Sequence, residues 1–150
     1  MVKLIKTNSK NTDFSFLVKQ LNAYLKITDG NEHNFYNQYN SISNLNHVVV
    51  AYLGNNAVGC GAFKPYNKNS VEIKRMFTLL KARQKGIATL VLNTLELWAS
   101  TLNYTSIILE TGSRQIEAVA FYKKNNYKVI ENYDPYIGIK NSICFKKNIV

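Results

Sequence analysis

A strand, a short basic loop and an apolar helix follow one another between residues 70 and 102, and this succession constrains the fold more than any other feature. The segment SVEIKRMFTLL (70–80) has the length and the apolar content of a strand. From Ile87 to Leu102, large apolar residues recur at spacings of three and four, which predicts an amphipathic helix. A strand that runs within a few residues into such a helix is typical of an α/β domain.

The loop between this strand and this helix crowds positive charge onto a helix N-terminus. It contains three cations and a glycine: Lys81, Arg83, Lys85 and Gly86. No acid occurs between Glu72 and Glu96. Unpaired N–H groups give a helix N-terminus a partial positive charge, so acids normally stabilise it and cations do not. A bound pyrophosphate would supply both the cap and the counter-charge, whereas the alternative is a solvated charged turn.

The whole chain predicts a single α/β domain over residues 1–150, without repeats or linkers. We expect a mixed, mostly antiparallel central sheet flanked by helices, in the order β-α-(α)-β-β-β-α-β-α-β-β. The predicted strands are KLIK (3–6), 47–53, 57–64, 70–80, 104–110, 127–130 and 142–147. The second helix stands in parentheses because the polar segment NEHNFYNQYNSIS (31–43) fits either a short helix or a mobile loop.

The strand at 70–80 and its neighbour at 57–64 carry two further signals. Period-two alternation places five residues on one face, Val71, Ile73, Arg75, Phe77 and Leu79, and four on the other, Glu72, Lys74, Met76 and Thr78. Gly59 and Gly61 in the preceding strand indicate a bulge or a close approach of the backbone.

Composition bounds the class of protein without deciding its function. The net charge of +10 fits a polyanionic ligand, an anionic surface or nucleic acid. Most of the cations are scattered along the chain, however, so a general bias of the composition toward Lys explains them equally well. No apolar run approaches the roughly 18 residues of a membrane span, and the first residues lack the apolar core of a secretory signal. Cys60 and Cys144 suggest neither a disulfide framework nor a metal site, so we expect a reduced, cytoplasmic protein.

The basic loop matches neither GxxxxGK[ST] nor GxGxxG, the familiar loops of nucleotide-binding proteins. The sequence RQKGIA (83–88) instead resembles the acyl-coenzyme A loop of the GNAT superfamily of N-acetyltransferases, [R/Q]-x-x-G-x-[G/A]. The segment ETGSRQIEAVAFYKKNNYKVI (110–130) resembles the second motif of that family, N-x-x-A-x-x-L-Y-x-x-x-G-F. Gln115, Phe121 and Asn126 depart from it, standing where Asn, Leu and Gly are usual. The resemblance covers about residues 45–147 and implies a single-domain GNAT-like fold.

The resemblance implies acetyl-CoA as co-substrate and assigns its contacts. The strand that ends at Thr78 is expected to splay from SIILE (106–110), which exposes the main chain of Met76, Phe77 and Thr78 to the pantetheine arm and the thioester. Six residues of the loop are expected to hold the pyrophosphate: Arg83, Gln84, Lys85, Gly86, Ile87 and Ala88. Gln115 and Tyr122, in the segment that resembles the second motif, complete the cofactor site. Tyr122 is the candidate acid for the departing thiolate, although a lone helical tyrosine is otherwise usually packed in a core.

The resemblance also implies N-acetyl transfer to a primary amine by direct attack in a ternary complex, since no cysteine occupies a motif position. Glu72 is the candidate base, or else a solvent-facing carboxylate paired with Lys74. Glu110 would bind or activate a cationic acceptor, or hold the following turn. Tyr36 and Tyr133 come from the two segments that usually wall the acceptor, which we expect to be a small-molecule or peptide amine. No metal site is expected, and the chain could be a monomer or a homodimer.

Two other classes of function remain open on the sequence. A non-catalytic acyl-coenzyme A binding or sensing module would present the same pocket without turnover. A basic nucleic-acid-binding domain is supported by charge alone, because the chain has no helix-turn-helix, zinc or RNA-recognition signature.

Overall fold

The computed structural model describes residues 1–29 and 44–149, which form one seven-stranded sheet with helices on both faces. Its elements are β1 (Val2–Thr7), α1 (Thr12–Asp29), β2 (His47–Leu53), β3 (Asn56–Pro65), β4 (Ser70–Thr78), α2 (Ile87–Thr101), β5 (Ser106–Gly112), α3 (Ile116–Lys124), β6 (Lys128–Ile130) and β7 (Ser142–Asn148). A short 3-10 turn, Leu80–Ala82, connects β4 to the basic loop. The predicted order is confirmed, and the segment 31–43 that was left open lies outside the described residues.

The strands lie in the order β1-β2-β3-β4-β5-β7-β6. Among the strands of the described residues, only β4 and β5 are paired in parallel, and every other neighbouring pair is antiparallel, as expected for a mostly antiparallel mixed sheet. The parallel pair is the one that α2 connects, because a parallel crossover needs a long connection. The final antiparallel pair, β6 and β7, is also confirmed.

Strand β2 shows how the sheet divides the core into two layers. Val48 and Val50 pack with α1 on one face, while Val49 and Ala51 pack with α2 on the other. This alternation follows from the period of two of a strand buried on both faces. In α2 the predicted apolar stripe is confirmed at four buried residues: Ile87, Val91, Leu92 and Leu95. Leu90 and Leu102, which the same spacing places in or beside that stripe, are instead exposed (41% and 43%).

A β-bulge in β4 breaks the alternation that the sequence predicted. Cys60 pairs with Phe77, and Ala62 pairs with Lys74, so that Arg75 and Met76 together face Gly61. Arg75 has a φ of 59°, in the left-handed region. The predicted common face of Val71, Ile73, Arg75 and Phe77 is therefore wrong beyond Ile73. Val71, Ile73 and Met76 belong to the layer of α2, whereas Arg75 hydrogen-bonds to α1 and Phe77 packs in the layer of α1.

Gly61 makes the bulge possible because its lack of a side chain lets β3 approach its neighbours closely. A Cβ at this position would clash with Met76 Sδ, would lie 2.9 Å from Leu95 Cδ1 and would lie 3.0 Å from Val91 Cγ1. The close approach that the glycines indicated is thus confirmed at Gly61, where the bulge and α2 meet.

We expect Gly61→Ala to lower the free energy of unfolding by about 1–3 kcal/mol, because the added methyl overpacks this contact. Urea unfolding followed by circular dichroism measures the change. Ser100→Ala, an exposed position of α2, is the control and should stay within about 0.5 kcal/mol of the wild type. A Gly61→Ala protein as stable as the wild type would show that the interior at the bulge is loosely packed.

Candidate active site

Strands β4 and β5 are paired at only three positions and then diverge. The pairs are Ser70 with Ser106, Val71 with Ile107, and Glu72 with Ile108. Beyond the last pair the facing edges of the two strands do not bond to each other, which confirms the splay that the resemblance implied. A cavity of about 450 Å³ opens between them, and it extends from α1 to the N-termini of α2 and α3. Unpaired backbone groups on strand edges are strong hydrogen-bonding partners for a ligand that enters such a cleft.

The N-terminus of α2 opens into this cavity without a cap of its own. Gly86 is the N-cap residue, with a φ of 76°, and no side chain accepts a hydrogen bond from the first turn. Gln84 also has a positive φ, 63°, and the first turn contains no acid. Left-handed residues of this kind orient successive N–H groups toward a concave anion site. The geometry therefore supports the anion-binding interpretation of the loop.

The structure brings most of the predicted site residues together. Eleven of them line the cavity: Met76, Phe77, Thr78, Arg83, Gln84, Gly86, Ile87, Ala88, Glu110, Gln115 and Tyr122. Within the described part of the chain, three others do not line it: Lys85, which is exposed, and Glu72 and Tyr133, which lie in a separate cluster. Tyr36 lies outside the described residues.

Arg83 is bound mainly to protein groups around the cavity. Its Nε donates to the carbonyl oxygen of Thr78 at 3.0 Å, and its Nη1 lies 3.4 Å from Glu117 Oε2. The guanidinium also lies 5.4 Å from the centre of the Tyr24 ring. Because Glu117 is exposed, its ion pair contributes little, but together the contacts tie the loop to β4, α3 and α1. Arg83 thus orders the wall that carries the candidate anion site.

Tyr122 is the buried residue of α3, and it lines the cavity. Its ring packs against Tyr127 and Phe145, with centroid separations of 5.6 and 5.9 Å. Burial raises the pKa of the Tyr122 phenol because the phenolate is poorly solvated there. The phenol is therefore protonated at neutral pH, as a proton donor must be.

Glu72 is buried in an ionic cluster on the sheet face opposite α2. Its Oε1 lies 3.4 Å from Lys74 Nζ, and its Oε2 accepts a hydrogen bond of 2.7 Å from Tyr133 Oη. Lys74 Nζ in turn donates to Tyr136 Oη at 3.4 Å. Burial lowers the pKa of Lys74, while the charge of Glu72 opposes this shift. The pairing with Lys74 is confirmed, but the expected solvent-facing position of Glu72 is wrong because the loop that carries Tyr133 covers it.

Glu110 is the predicted carboxylate that the structure places in the cavity. It lies on β5 just beyond the last pair with β4, and its Oε2 accepts a hydrogen bond of 2.7 Å from Ser142 Oγ on β7. Its charge also favours the protonated form of Lys74, so it borders the Glu72 cluster. Glu110 is thus held at the junction between the cavity and this cluster.

Comparison with known proteins decides the family. Residues 15–127 match the model of the Acetyltransferase (GNAT) family. The chain belongs to the GNAT family.

Individual relatives of this GNAT chain are distant. The IAA acetyltransferase of Azospirillum brasilense is 32% identical over 89 residues, and the match covers 59% of this chain and 58% of that protein. The uncharacterized N-acetyltransferase YsnE of Bacillus subtilis (strain 168) is 31% identical over 101 residues, which is 66% of this chain and 67% of that protein. This chain therefore spans about two thirds or less of these relatives.

A solved structure shares the fold over nearly the whole chain. The GNAT family acetyltransferase of Elizabethkingia anophelis, solved with acetyl-CoA bound, superimposes with a TM-score of 0.69 and 16% identity. The superposition covers 98% of this chain and 97% of that one. The co-substrate of the GNAT family is acetyl-CoA, in agreement with the prediction from the loop.

Sequence reasoning missed two sides of this GNAT site. Leu21 and Leu25 of α1 line the cavity, as does Arg75 of β4. The spacing of the α1 residues predicts a helix that packs on the sheet, but it does not show that the sheet splays beneath it. Arg75 was placed on the wrong face because period-two alternation cannot reveal a bulge.

The part of this GNAT chain that the structure describes contains no group of three His, Cys, Asp or Glu side chains able to hold a metal ion. Cys60 and Cys144 are both free and buried. None of the helices described is long and apolar enough to cross a membrane.

We expect Lys74→Met to lower the free energy of unfolding by about 3 kcal/mol, because it leaves the Glu72 carboxylate buried without its ion-pair partner. The matched control is Lys64→Met, which removes an exposed cation from the neighbouring strand and should have little effect. Urea unfolding measures both variants. The double variant Lys74→Met with Glu72→Gln should recover part of the loss, and an unchanged single variant would contradict a buried ion pair.

Proposed function

We propose that this GNAT protein transfers the acetyl group of acetyl-CoA to a primary amine by direct attack in a ternary complex. The observation that carries the proposal is the uncapped N-terminus of α2, which opens into the cleft between β4 and β5 together with Tyr122 and Glu110. This arrangement offers an anion site, an open strand edge, a proton donor and a carboxylate in one cavity. A reduced cytoplasmic setting, which we also propose, is compatible with two free cysteines.

Binding begins with the pyrophosphate of acetyl-CoA at the N–H groups of residues 86–89. These groups lack partners in the helix, and the macrodipole adds a favourable field for the negative charge. The exposed Lys85 adds charge beside the loop, while Arg83 keeps the loop attached to β4. The pantetheine arm then lies along the open edge of β4 at Met76, Phe77 and Thr78.

Attack on the thioester carbonyl produces an oxyanion, which the open edge of β4 can stabilise. A backbone N–H directed at a developing oxyanion in a site that excludes water lowers the activation free energy by about 3 kcal/mol. The edge is available because β4 leaves its pairing with β5 after Glu72.

Three proton transfers accompany the reaction. An alkyl amine with a pKa of about 10.4 is mostly protonated at neutral pH, so a base must remove a proton before the nitrogen can bond to the carbonyl carbon. We assign this role to Glu110, directly or through water, because it lines the cavity, whereas Glu72 is engaged by Lys74 and Tyr133. As the C–S bond breaks, the sulfur takes a proton from Tyr122, which is replaced by the second proton lost from nitrogen.

The raised pKa of Tyr122 is compatible with donation to sulfur. Burial in the cavity makes the phenol a weaker acid, but it makes a thiolate formed in the same cavity a stronger base. The pKa values of the Tyr122 phenol and of the coenzyme A thiol therefore rise together, and the proton can pass from one to the other within the desolvated site.

Release of free thiol from acetyl-CoA in the presence of a panel of amines tests the function. Amine-dependent release, with the acetylated amine found by mass spectrometry, supports the enzyme. Tight binding of acetyl-CoA with no release for any amine would instead favour a binding or sensing module. Absence of acetyl-CoA binding would overturn both.

The partial positive charge of the α2 N-terminus predicts that an added acid stabilises the free protein but weakens its binding of acetyl-CoA. Thr89, in the first turn of α2, lines the cavity. Compared with Thr89→Gln, Thr89→Glu should stabilise the free protein by about 0.3–1 kcal/mol, since an acid favours a helix N-terminus. It should also raise the Kd for acetyl-CoA about tenfold, equivalent to about 1.4 kcal/mol of repulsion from the pyrophosphate.

Thermal unfolding and calorimetry measure these two effects. The two variants have the same shape and differ in charge, so steric effects cancel in the comparison. Equal affinities for acetyl-CoA would mean that no phosphate lies at this helix end.

Tyr122→Phe should lower kcat about 10²-fold and leave the KM for acetyl-CoA nearly unchanged, because it removes the proton donor but keeps the ring. Tyr127→Phe is the matched control: it removes the hydroxyl of an adjoining buried tyrosine that donates to Glu96. Steady-state kinetics over pH 6–9 should show the loss for Tyr122→Phe alone. A similar kcat in both variants would exclude Tyr122 as the acid.

A further inference from the structure

Arg75 is a buried guanidinium without a carboxylate partner among residues 1–29 and 44–149. It is 7% exposed, and the hydrogen bond of its side chain is from Nη2 to the neutral Oδ1 of Asn22, at 2.7 Å. Its Nε is buried and has no hydrogen-bond partner. Burying an unpaired charge and an unsatisfied donor is costly, and native structures rarely keep both without a ligand or another function.

The adjacent thiol does not neutralise this charge. Cys60 Sγ donates to the carbonyl oxygen of Arg75 at 3.4 Å. Complete burial raises the pKa of Cys60 to about 12, so it is a neutral thiol at pH 7. Burial lowers the pKa of Arg75 to about 10, which still leaves the guanidinium charged at neutral pH. The positive charge is therefore present and uncompensated within the described part of the chain.

The bulge of β4 gives this side chain its direction. Arg75 lines the cavity on the side of α1, together with Leu21, Tyr24 and Phe77. The site for the pyrophosphate, by contrast, is the N-terminus of α2, which packs on the other face of the sheet. The opening of the cleft between β4 and β5 connects the two sides, and Glu110 lies on its β5 edge.

We propose that Arg75 binds the carboxylate of the acceptor, so that the substrate is an amino acid or another amine carrying a carboxylate. The proposal rests on the proposed acetyl transfer and names the class of acceptor. With Nη2 held by Asn22 and Nε buried, the N–H groups of Nη1 at the end of the guanidinium are left to donate to a carboxylate in the cavity. The planar guanidinium suits a carboxylate, Glu110 suits the amino group, and the α1 side chains suit an apolar body.

Calorimetry on the wild type tests the carboxylate site without requiring turnover. In the presence of coenzyme A, 3-phenylpropionate should bind at least about tenfold more tightly than 3-phenylpropionamide, which has a similar shape and no charge. The same titration without coenzyme A shows whether the site exists independently of the cofactor. Equal affinities, or binding that coenzyme A displaces, would overturn the proposal, since the anion site would then be absent or would belong to the cofactor.

Matched acceptors test the same proposal during turnover. Phenylalanine, phenylalaninamide and 2-phenylethylamine share a body and an amine, and the first alone carries a carboxylate. A parallel series with leucine, leucinamide and isoamylamine controls for the aromatic ring. The carboxylated member of each series should have the highest kcat/KM, and equal values within both series would contradict the proposal while leaving acetyl transfer established.

Arg75→Met removes the charge and keeps an apolar stem of similar length. It should raise the KM for the carboxylated acceptor about 10- to 100-fold and leave the KM for acetyl-CoA unchanged. Arg114→Met is the control, because Arg114 is exposed and does not line the cavity. An equal loss for charged and uncharged acceptors would show that Arg75 is structural. If Arg75→Met does not fold, the calorimetric comparison of 3-phenylpropionate with 3-phenylpropionamide on the wild type tests the proposal without it.

Discussion

The early end of the pairing between β4 and β5 is the constraint on which the site depends. The two strands share three residue pairs at their N-terminal ends, where Val71 and Ile107 pack in the hydrophobic core. Beyond them, each strand has one edge without a neighbour, and buried backbone groups must find partners in water or in a ligand. The cavity, the open edge of β4 and the position of Glu110 all follow from this divergence.

The bulge in β4 acts on the other edge of the same strand. By placing Arg75 and Met76 opposite Gly61, it turns Met76 toward α2 and Arg75 toward α1. One strand therefore presents an apolar side chain to the core and a cation to the cavity at consecutive positions. The cost is a non-glycine residue with φ of 59°, a conformation that L residues rarely adopt.

The charges around the cleft fall into two groups. Glu72 and Lys74 neutralise each other in a buried cluster closed by Tyr133. The N-terminus of α2 and the guanidinium of Arg75 have no such compensation among the described residues, and both face the cavity. Uncompensated positive charge on both sides of one cleft favours ligands that bring negative groups to both, a pyrophosphate at α2 and a carboxylate at α1.

The sequence predicted the order of elements and the uncapped helix N-terminus behind the basic loop because both depend on local patterns. The strand 47–53 and the uncapped helix beginning near Ile87 are present as expected. The burial of Glu72 and the direction of Arg75 could not be predicted in the same way. The first depends on Tyr133, which contacts Glu72 from 61 residues away, and the second on the approach of Gly61 to α2.

Amide hydrogen exchange, with and without saturating acetyl-CoA, tests the central claim most directly. The claim is that the open edge of β4 and the first turn of α2 are completed by the cofactor. The account predicts slower exchange on binding at residues 73–78 and 86–89, with little change in β1, β2 and β6. Unchanged exchange at both segments, or protection confined to another part of the chain, would contradict it.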